Sequence, residues 1–395
     1  MSIATPHFTG AQVEELIATR RDLHMHPELG FEEVRTAALV ADRLRALGLE
    51  PRTGVGRTGV LARITGGKPG RTVLLRADMD ALPIHEDNDV PYRSTTPGKM
   101  HACGHDCHTS ILLGVARRLV QEAADLPGSV VLCFQPSEEQ GHPEGGAVAM
   151  IQDGALEWAK ADYALGLHVW QDLPLGTVGV TEGPWMAATD SFEVTVHGKG
   201  APAAMPQTGT DPVLAMAQAI TALQALVSRN TDPLRELVVS VTQVRAGTAF
   251  NIIPASAWMN GTVRMFDREV WAAVPGWFER VVNGVATALG CTATIDYRRG
   301  NMATVNDAGV CVHARAAATQ VVGAERLRTD VRTMGGEDFS AILDQVPGAF
   351  ITIGSRNEAR GLHHDHHHPR FDVDEECLRI GAEEMLETTR RLLAS

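Results

Sequence analysis

Residues 129–139 read Ser-Val-Val-Leu-Cys-Phe-Gln-Pro-Ser-Glu-Glu, an apolar run that ends in a proline and two carboxylates. A continuous apolar run of this length is typical of a strand that is buried on both faces, as in the parallel sheets of α/β proteins. Pro136 ends the run, so Glu138 and Glu139 follow directly at its carboxyl end. Open α/β sheets place their binding sites at this end of their strands. The segment therefore predicts an α/β layer and the location of a polar site.

The chain around this segment alternates between predicted strands and amphipathic helices, which indicates an α/β layer structure. Strands are predicted at 59–65, 72–77 and 163–170, and helices at 11–25, 36–47 and 109–123. From residue 186 the order becomes βαββαβ, which is typical of a ferredoxin-like α+β domain. The α/β pattern resumes after 302. We therefore expect an α/β domain formed by residues 1–186 and 303–395, with a second domain inserted at 187–302.

Composition narrows the class of protein. The 395 residues are 44% hydrophobic and 21% charged, as in an ordinary globular protein. The net charge of -13 argues against nucleic acid and anionic membranes as partners. Six scattered cysteines are too few for a disulfide framework, which favours reduced thiols and a cytoplasmic location. We expect neither a signal peptide nor a membrane span, since no apolar run approaches about 18 residues.

Five polar motifs lie in predicted loops or at strand ends. They are Asp78-x-Asp80-Ala-Leu-Pro, His101-Ala-Cys-Gly-His-Asp-x-His108, Gln135-Pro-Ser-Glu-Glu139, Gly166-Leu-His168 and His367-His-Pro-x-Phe371. Thiolate, imidazole and carboxylate are ligands for borderline-soft divalent ions. Taken singly, each has a simpler interpretation: a histidine in an apolar strand is ordinarily a core residue, and the histidines at 363–368 are compatible with an incidental exposed cluster. The convergence of all five favours a metal centre.

Together with Arg20-Arg-Asp-Leu-His-Met-His-Pro-Glu-Leu-Gly30, this motif set resembles metallopeptidase family twenty of clan MH. The resemblance is to the branch of aminoacylases, hippurate hydrolases and auxin-conjugate (indole-acetyl-amino acid) hydrolases, and it extends from about residue 11 to about residue 390. It implies a metallopeptidase α/β catalytic domain with an inserted ferredoxin-like α+β domain that acts as lid and dimerisation domain. A homodimer or a higher homo-oligomer is therefore expected.

The resemblance also implies roles for individual residues. Two divalent ions per subunit would be held by Cys103, His105, Glu139, His168 and His367. Glu138 occupies the position of the general base, and Asp80 that of the carboxylate that orients a ligand. Thiolate and imidazole suit Zn²⁺, Ni²⁺ or Co²⁺, and carboxylates admit Mn²⁺, so the identity of the metal stays open. His366 and His368 are the alternatives to His367 if the register of the histidine run differs.

The resemblance further implies that Asn251 and Arg264 bind the free carboxylate of the substrate. A guanidinium group suits this task because it matches a carboxylate bidentately. A salt bridge at a strand end is the alternative interpretation of Arg264. The expected substrate is a small N-acyl amino acid, whose amide bond would be hydrolysed to a carboxylic acid and a free amino acid.

One position departs from the family pattern Gly-Lys-Gly-x-His-Ala-Ala-x-Pro. The chain reads Gly198-Lys-Gly-Ala-Pro-Ala-Ala-Met-Pro206, so Pro202 replaces the histidine. In the family that histidine donates to the oxyanion of the tetrahedral intermediate in the partner's site. Proline offers neither a side-chain donor nor a backbone N–H, so Pro202 predicts impaired turnover unless another group substitutes. His197 and His142 are the candidates.

The sequence thus predicts a metal-dependent amidohydrolase for N-acyl amino acids. A metal-dependent carboxypeptidase or dipeptidase is the alternative within enzymes, and the branch-specific Cys103 disfavours it. A catalytically silent metal- and ligand-binding dimer is the alternative from another class. Pro202 favours that alternative, whereas the presence of Glu138 argues against it.

Overall fold

The computed structural model describes residues 7–141 and 143–395, and the chain divides into two compact units. The first contains the chain up to Trp185 together with Thr304–Arg332 and Asp338–Ser395. The second contains Met186–Ala303 and Thr333–Glu337. The last of these segments differs from the predicted division, which placed it in the α/β domain. Within the second unit, the Ala187 N–H donates to the Gly335 carbonyl oxygen at 2.9 Å, and Met186 forms a parallel bridge with Thr333.

The helices of the described residues, numbered in chain order, are α1 (Gly10–Met25), α2 (Val34–Ala46), α3 (His105–Glu122), α4 (Gly146–Gln152), α5 (Ala155–Ala159), α6 (Pro212–Ala225), α7 (Arg268–Ala288), α8 (Ala308–Val322), α9 (Ser340–Leu343) and α10 (Glu376–Leu393). The strands are β1 (Arg52–Val55), β2 (Gly59–Thr65), β3 (Lys68–Asp78), β4 (Pro127–Gln135), β5 (Tyr163–Pro174), β6 (Val178–Gly179), β7 (Gly183–Met186), β8 (Ala188–His197), β9 (Ala201–Pro202), β10 (Leu237–Ala246), β11 (Ile252–Ile253), β12 (Ser256–Met265), β13 (Thr292–Arg298), β14 (Thr304–Asn306), β15 (Leu327–Arg328) and β16 (Gly348–Arg356).

The first unit is built on an eight-stranded mixed sheet in the order β1-β2-β4-β3-β5-β16-β6-β15. Its centre is parallel, because β3 pairs in parallel with both β4 and β5, and β5 pairs in parallel with β16. The residues of β4 from Val130 to Gln135 are all buried, as the apolar run predicts. Helices α1, α3, α8 and α10 contribute to the same apolar core. The predicted α/β class is confirmed.

Strand register brings the polar ends of the central strands to one level. Asp78, at the end of β3, pairs with Gln135 at the end of β4. Gly166 pairs with Arg76, so His168 stands two residues further along β5, level with Asp78. Backbone pairing alone therefore brings three of the five sequence motifs, those of Asp78, Gln135 and His168, to the same edge of the sheet.

The second unit is a four-stranded antiparallel sheet in the order β10-β12-β8-β13, with α6 and α7 packed into its core. Its chain order is βαββαβ, and this strand order is the ferredoxin-like arrangement that the sequence predicts. Strand β10 lies at an edge of the sheet. Helix α7 shows a strong apolar face along Val270, Val274, Phe278 and Val282, as its periodicity requires.

No helix formed by residues 7–141 and 143–395 is both long and apolar enough to cross a membrane. The six cysteines are all buried free thiols.

Candidate metal centre

The candidate site of the first unit begins at the amino end of α3. The helix starts at His105, four residues earlier than the predicted start at 109. Gly104 precedes it with a φ of 96°, in the left-handed region that favours glycine. A Cβ atom at Gly104 would lie 2.3 Å from Cγ2 of Val169. Glycine is therefore required here both for the backbone turn and for the close approach of β5, and it sets where His105 points.

Asp80 orients His105 and also contacts the loop that follows β4. Its Oδ1 lies 3.1 Å from Nδ1 of His105, and its Oδ2 accepts a hydrogen bond from the Glu139 N–H at 3.0 Å. Because Oδ1 accepts, Nδ1 of His105 is the donor, and Nε2 is the ring nitrogen left to bind a ligand. This Nε2 is buried and makes no hydrogen bond among the described residues. An imidazole fixed by a carboxylate at one nitrogen is the usual arrangement of a metal ligand.

His168 is held in the same way. Its Nδ1 donates to the Val169 carbonyl oxygen at 2.5 Å, which leaves Nε2 free. That Nε2 lies 3.4 Å from Sγ of Cys103. The ligand atoms of Cys103, His105 and His168 all lie within 4.8 Å of one another. A sulfur and two imidazoles at this spacing suit a borderline-soft divalent cation.

Glu138 and Glu139 face this group from the loop after β4. Both have a carboxylate oxygen 4.0 Å from Nε2 of His105. Glu139 also lies 3.3 Å from Nε2 of His367. His367 has a φ of 66° and donates its backbone N–H to the Ala102 carbonyl oxygen at 2.8 Å, which ties its loop to the start of the Cys103 motif. The structure thus brings together Asp80, Glu138 and all five predicted ligands.

The pKa values of the clustered side chains favour the binding of a cation. Burial, reinforced by the charges of Glu139 and Glu138, raises the pKa of the Cys103 thiol well above its ordinary value. Burial lowers the pKa of His168 well below its ordinary value. Burial also acts to lower the pKa of His105, but Asp78 and Asp80 outweigh it and raise that pKa to about 10. A bound divalent ion would take the place of the protons on Cys103 and His105, and His168 already offers an unprotonated nitrogen, so the residues fit the metals that the sequence implies.

A second layer of buried polar residues lies behind the cluster and was not predicted in detail. Asp78 accepts from Nδ1 of His108 at 2.6 Å and from Nη1 of Arg76 at 2.7 Å. The other ring nitrogen of His108 accepts from the Val169 N–H at 3.0 Å. Arg76 also contacts Oδ1 of Asp338 at 3.0 Å. His108 is fully engaged by these bonds, which supports a packing and orienting role rather than ligation.

His366, unlike its exposed neighbour His367, is half-buried. Its ring packs against His168, with centroids 5.1 Å apart, and against Trp170 at 5.4 Å. Nε2 accepts from the Gln171 N–H at 3.2 Å, and burial lowers the pKa of the ring to about 3. His367, not His366, joins Cys103 and Glu139 within 4.8 Å. His366 therefore forms an apolar wall beside His168.

In the second unit, Pro202 and Asn251 are neighbours. The two-residue strands β9 and β11 pair, with Pro202 opposite Ile252. The Ala203 N–H donates to the Asn251 carbonyl oxygen at 3.0 Å. Both Pro202 and Asn251 are exposed. Of the two histidines considered as substitutes, His197 lies 2.9 Å from Thr294 Oγ1, and His142 falls outside the described residues.

Arg264 lies near one end of β12, and the segment that carries Asn251 leads into the other end of that strand. Its strand β12 pairs Ser256 with His197 and Arg264 with Thr189. The separation from Ser256 to Arg264 is about 27 Å at the rise of an antiparallel strand, and Asn251 lies beyond Ser256. Burial lowers the pKa of Arg264, whose Nε donates to Thr262 Oγ1 at 3.0 Å. Within one protomer, the length of β12 therefore separates Arg264 from the segment that carries Asn251.

Fold and site together define a metal-dependent hydrolase with an α/β sheet and an inserted ferredoxin-like domain. The sequence model of Peptidase family M20/M25/M40 matches residues 74–391, and the chain belongs to this family. Members of a peptidase family hydrolyse amide bonds, so this chain is a hydrolase acting on such bonds. The resemblance drawn from the motifs is confirmed.

The curated relatives include enzymes of two kinds. The chain is similar to the N-acyl-L-amino acid amidohydrolase of Geobacillus stearothermophilus, with 44% identity over 74% of this chain and 78% of the relative. It is 40% identical to the N-acetylcysteine deacetylase of Bacillus subtilis over 93% of this chain and 94% of the relative. It is also 39% identical to thermostable carboxypeptidase 2 of Saccharolobus solfataricus, over 93% and 92% of the two chains.

Among solved structures, the chain is similar to the YXEP protein of Bacillus subtilis, described as a dinuclear metal binding peptidase from the M20 family. The TM-score is 0.85 at 36% sequence identity, and the alignment covers 98% of this chain and 99% of the other.

Proposed function

We propose that this protein is a two-metal amidohydrolase that removes the acyl group from an N-acyl amino acid. The observation that carries the proposal is the convergence of Cys103, His105, Glu139, His168 and His367 beside the carboxylate of Glu138. Relatives named for the hydrolysis of N-acyl amino acids support the same substrate class. The identity of the acyl group, the amino acid and the metals is left to experiment.

The proposed ligands divide between two neighbouring positions that share Cys103. The thiol, His105 and His168 form one group of ligand atoms, and the thiol, Glu139 and His367 form another, with the atoms of each group within 4.8 Å of one another. Two bound ions would polarise the amide carbonyl and make a water molecule more acidic. Glu138 holds a position to take the proton of the attacking water and to pass it to the leaving nitrogen. The adjacent carboxylates thus have separate tasks, one ligating and one titrating.

Carboxypeptidase activity is the second candidate, and the similarity to thermostable carboxypeptidase 2 favours it. Both reactions cleave an amide bond whose nitrogen belongs to an amino acid with a free carboxylate. They differ on the acyl side, where a carboxypeptidase accepts a peptide. The proposed chemistry of the metals and of Glu138 is the same in both.

We further propose a homodimer in which the substrate carboxylate is bound by residues of both protomers. The separation of Asn251 and Arg264 within one protomer supports this arrangement, since the two would serve one site only if different chains supplied them. Strand β10 leaves an edge of the sheet unpaired in the described chain, and Val238 and Val244 on it are exposed. An exposed edge of this kind must be paired or covered.

The test is a substrate panel on protein stripped of metal and reloaded with Zn²⁺, Mn²⁺, Co²⁺ or Ni²⁺. N-acetyl, benzoyl and indole-acetyl derivatives of one amino acid are compared with dipeptides that end in the same amino acid. Preference for the simple acyl groups, lost on chelation and restored by one metal, is expected. Preference for the dipeptides would favour the carboxypeptidase. Metal binding without hydrolysis of either class would contradict both.

A further inference from the structure

Glu33 is a buried carboxyl group outside all the predicted motifs, with an exposed fraction of 0%. It occupies the N-cap position of α2, yet its side chain does not cap that helix. Instead, Oε1 accepts the backbone N–H of Ser137 at 2.8 Å, and Oε2 accepts the hydroxyl of Thr58 at 2.5 Å. The side chain is therefore committed to the loop immediately before Glu138 and Glu139.

Ser137 has a φ of 47°, a left-handed conformation that is uncommon for a residue with a side chain. Such a conformation persists only where its surroundings enforce it. Two hydrogen bonds hold Ser137 in this conformation. The Ser137 N–H donates to Oε1 of Glu33, and the Ser137 carbonyl oxygen accepts from the Gly146 N–H at 2.9 Å. Gly30 limits the space on another side, since a Cβ there would lie 2.5 Å from Oγ of Ser137.

The turn at Ser137 determines where the next two side chains point. Two carboxylates hold its backbone: Glu33 accepts from the N–H of Ser137, and Asp80 accepts from the N–H of Glu139. We propose that Glu33 is a positioning residue that holds the Ser137 turn so that Glu138 and Glu139 face the metal centre. This inference rests on the proposed function, which assigns those two glutamates their tasks.

The chemistry of Glu33 indicates which substitution preserves the role. Burial, with the nearby charge of Asp80, raises its pKa to about 7 despite the hydrogen bond from Thr58. A neutral glutamine therefore resembles the carboxyl group closely. Its amide oxygen accepts from the Ser137 N–H, and its amide nitrogen donates to Thr58 Oγ1. Alanine offers no acceptor, so the turn at Ser137 loses one of its two restraints.

The experiment compares Glu33→Ala with Glu33→Gln and with Thr58→Val, which removes only the second contact. Zn²⁺ affinity is measured by competition with a chelating dye. The constants kcat and KM are measured on metal-saturated protein, and Tm is measured by circular dichroism. Misplacing catalytic groups by about 1 Å costs about 10²-fold. We expect Glu33→Ala to weaken binding of one of two ions at least tenfold and to lower kcat 10- to 100-fold. Glu33→Gln and Thr58→Val should stay within about threefold of the parent.

A Glu33→Ala protein with a lower Tm but with parental kcat and Zn²⁺ affinity would overturn the inference, because Glu33 would then be structural only. So would a Glu33→Gln protein as impaired as Glu33→Ala. If Glu33→Ala does not fold, Gly30→Ala decides, since its Cβ presses on Oγ and Cβ of Ser137 and leaves Glu33 intact. Parental kcat and Zn²⁺ affinity in Gly30→Ala would overturn the inference.

The Zn²⁺ measurement needs no substrate and so separates the two proposals. If the parent hydrolyses no N-acyl amino acid, the proposed function fails. The difference in Zn²⁺ affinity between Glu33→Ala and Glu33→Gln would still decide the positioning role.

Discussion

Glu138 and Glu139 are adjacent in sequence but differ in their surroundings. Glu139 has its N–H bound by Asp80 and its carboxylate beside His367. Glu138 is 8% exposed and has a carboxylate oxygen 4.0 Å from Nε2 of His105, but it is not among the five proposed ligands. Glu138→Gln keeps an oxygen at this position, so it should retain both metal ions and lower kcat by about 10²–10⁴, the usual contribution of a general base. Single-turnover and steady-state rates on metal-saturated protein measure this.

The matched control is Glu139→Gln, which removes a proposed ligand. It should lower metal stoichiometry as well as kcat, as determined by metal analysis after dialysis. Near-parental turnover of metal-loaded Glu138→Gln would remove Glu138 from the mechanism. Equal loss of metal in both variants would mean that the two carboxylates have the same task.

Glu384 is a fully buried carboxyl group on α10, and only one of its oxygens is bonded, to Thr388 at 3.0 Å. Burial raises its pKa to about 8, with Glu387 adding to the effect and Arg391 opposing it. The folded state therefore favours the protonated form, and this contribution to stability is lost as the pH rises from about 4.5 to about 8. Glu384→Gln should raise stability at pH 9 by a few kcal/mol and leave it nearly unchanged at pH 5.

Urea unfolding at the two pH values measures this difference. Glu157→Gln, which removes an exposed carboxylate, is the control and should show no such dependence. A Glu384→Gln protein that loses stability equally at both values would contradict the argument.

The residues of the candidate centre could be selected from sequence because thiol, imidazole and carboxylate groups stand in short motifs at predicted strand ends. Glu33 could not be selected in this way. Its partners Thr58 and Ser137 are 25 and 104 residues away, and nothing local marks a contact that only the folded chain creates. The packing of the His366 ring against His168 could not be predicted from the sequence for the same reason. Sequence patterns reveal ligand types, whereas the side chains that orient them depend on tertiary packing.

At the scale of elements, the start of α3 is the most sensitive point of the site. Gly104 combines a left-handed φ with a close approach to Val169, so Gly104→Ala must strain the backbone and displace the Val169 side chain on β5. We expect at least a tenfold loss of metal affinity, together with a destabilisation of about 1–3 kcal/mol. Calorimetric metal titration and urea unfolding measure the two effects separately.

Gly98→Ala is the matched control, because Gly98 has a φ of 78° but open space around its Cβ position. Gly98→Ala should show only the destabilisation that comes from the strained backbone, and it should bind metal with the affinity of the parent. If Gly98→Ala and Gly104→Ala lose metal affinity equally, the close contact with Val169 does not position the site.

Long elements were predictable and short ones were not. The predicted bounds of α1 (11–25) and α2 (36–47) and the apolar runs of β4 and β5 lie within a few residues of the observed ends in most cases. Strands β6, β14 and β15 span two or three residues each, which is too short for any period to show. The early start of α3 also escaped prediction. His105 and His108 are not helix-forming signals, and the left-handed conformation of Gly104 becomes necessary only once β5 packs against it.

At the scale of the whole molecule, Pro202 raises the question of whether the expected oxyanion donor is missing. Its exposed position beside Asn251 leaves room for a larger polar side chain. If the donor is missing, Pro202→His should raise kcat by about 10²–10³, since such a donor acts on charge that develops in the transition state. Steady-state kinetics on the parent and the variant test this. A variant no faster than a parent of ordinary turnover would show that another group fills the role, and His197→Ala and His142→Ala would then identify it.

The proposed sharing of one substrate between two protomers makes a prediction that no monomeric enzyme would meet. Asn251→Ala and Arg264→Ala should each lower kcat/KM at least about 10²-fold, because each leaves part of the substrate carboxylate unbound. If the two residues of one site come from different chains, a heterodimer of the two variants contains one site with both residues intact and one with neither. Mixed after dissociation and reassociation, the variants should recover about a quarter of the parental activity, since half of the randomly formed dimers are heterodimers. Size-exclusion chromatography with light scattering verifies reassembly.

The control is the double variant mixed with either single variant, and this mixture should recover no activity. Absence of recovery in a verified mixture would mean that both residues do not bind one substrate across the dimer, and a monodisperse monomer at micromolar concentration would exclude the arrangement altogether.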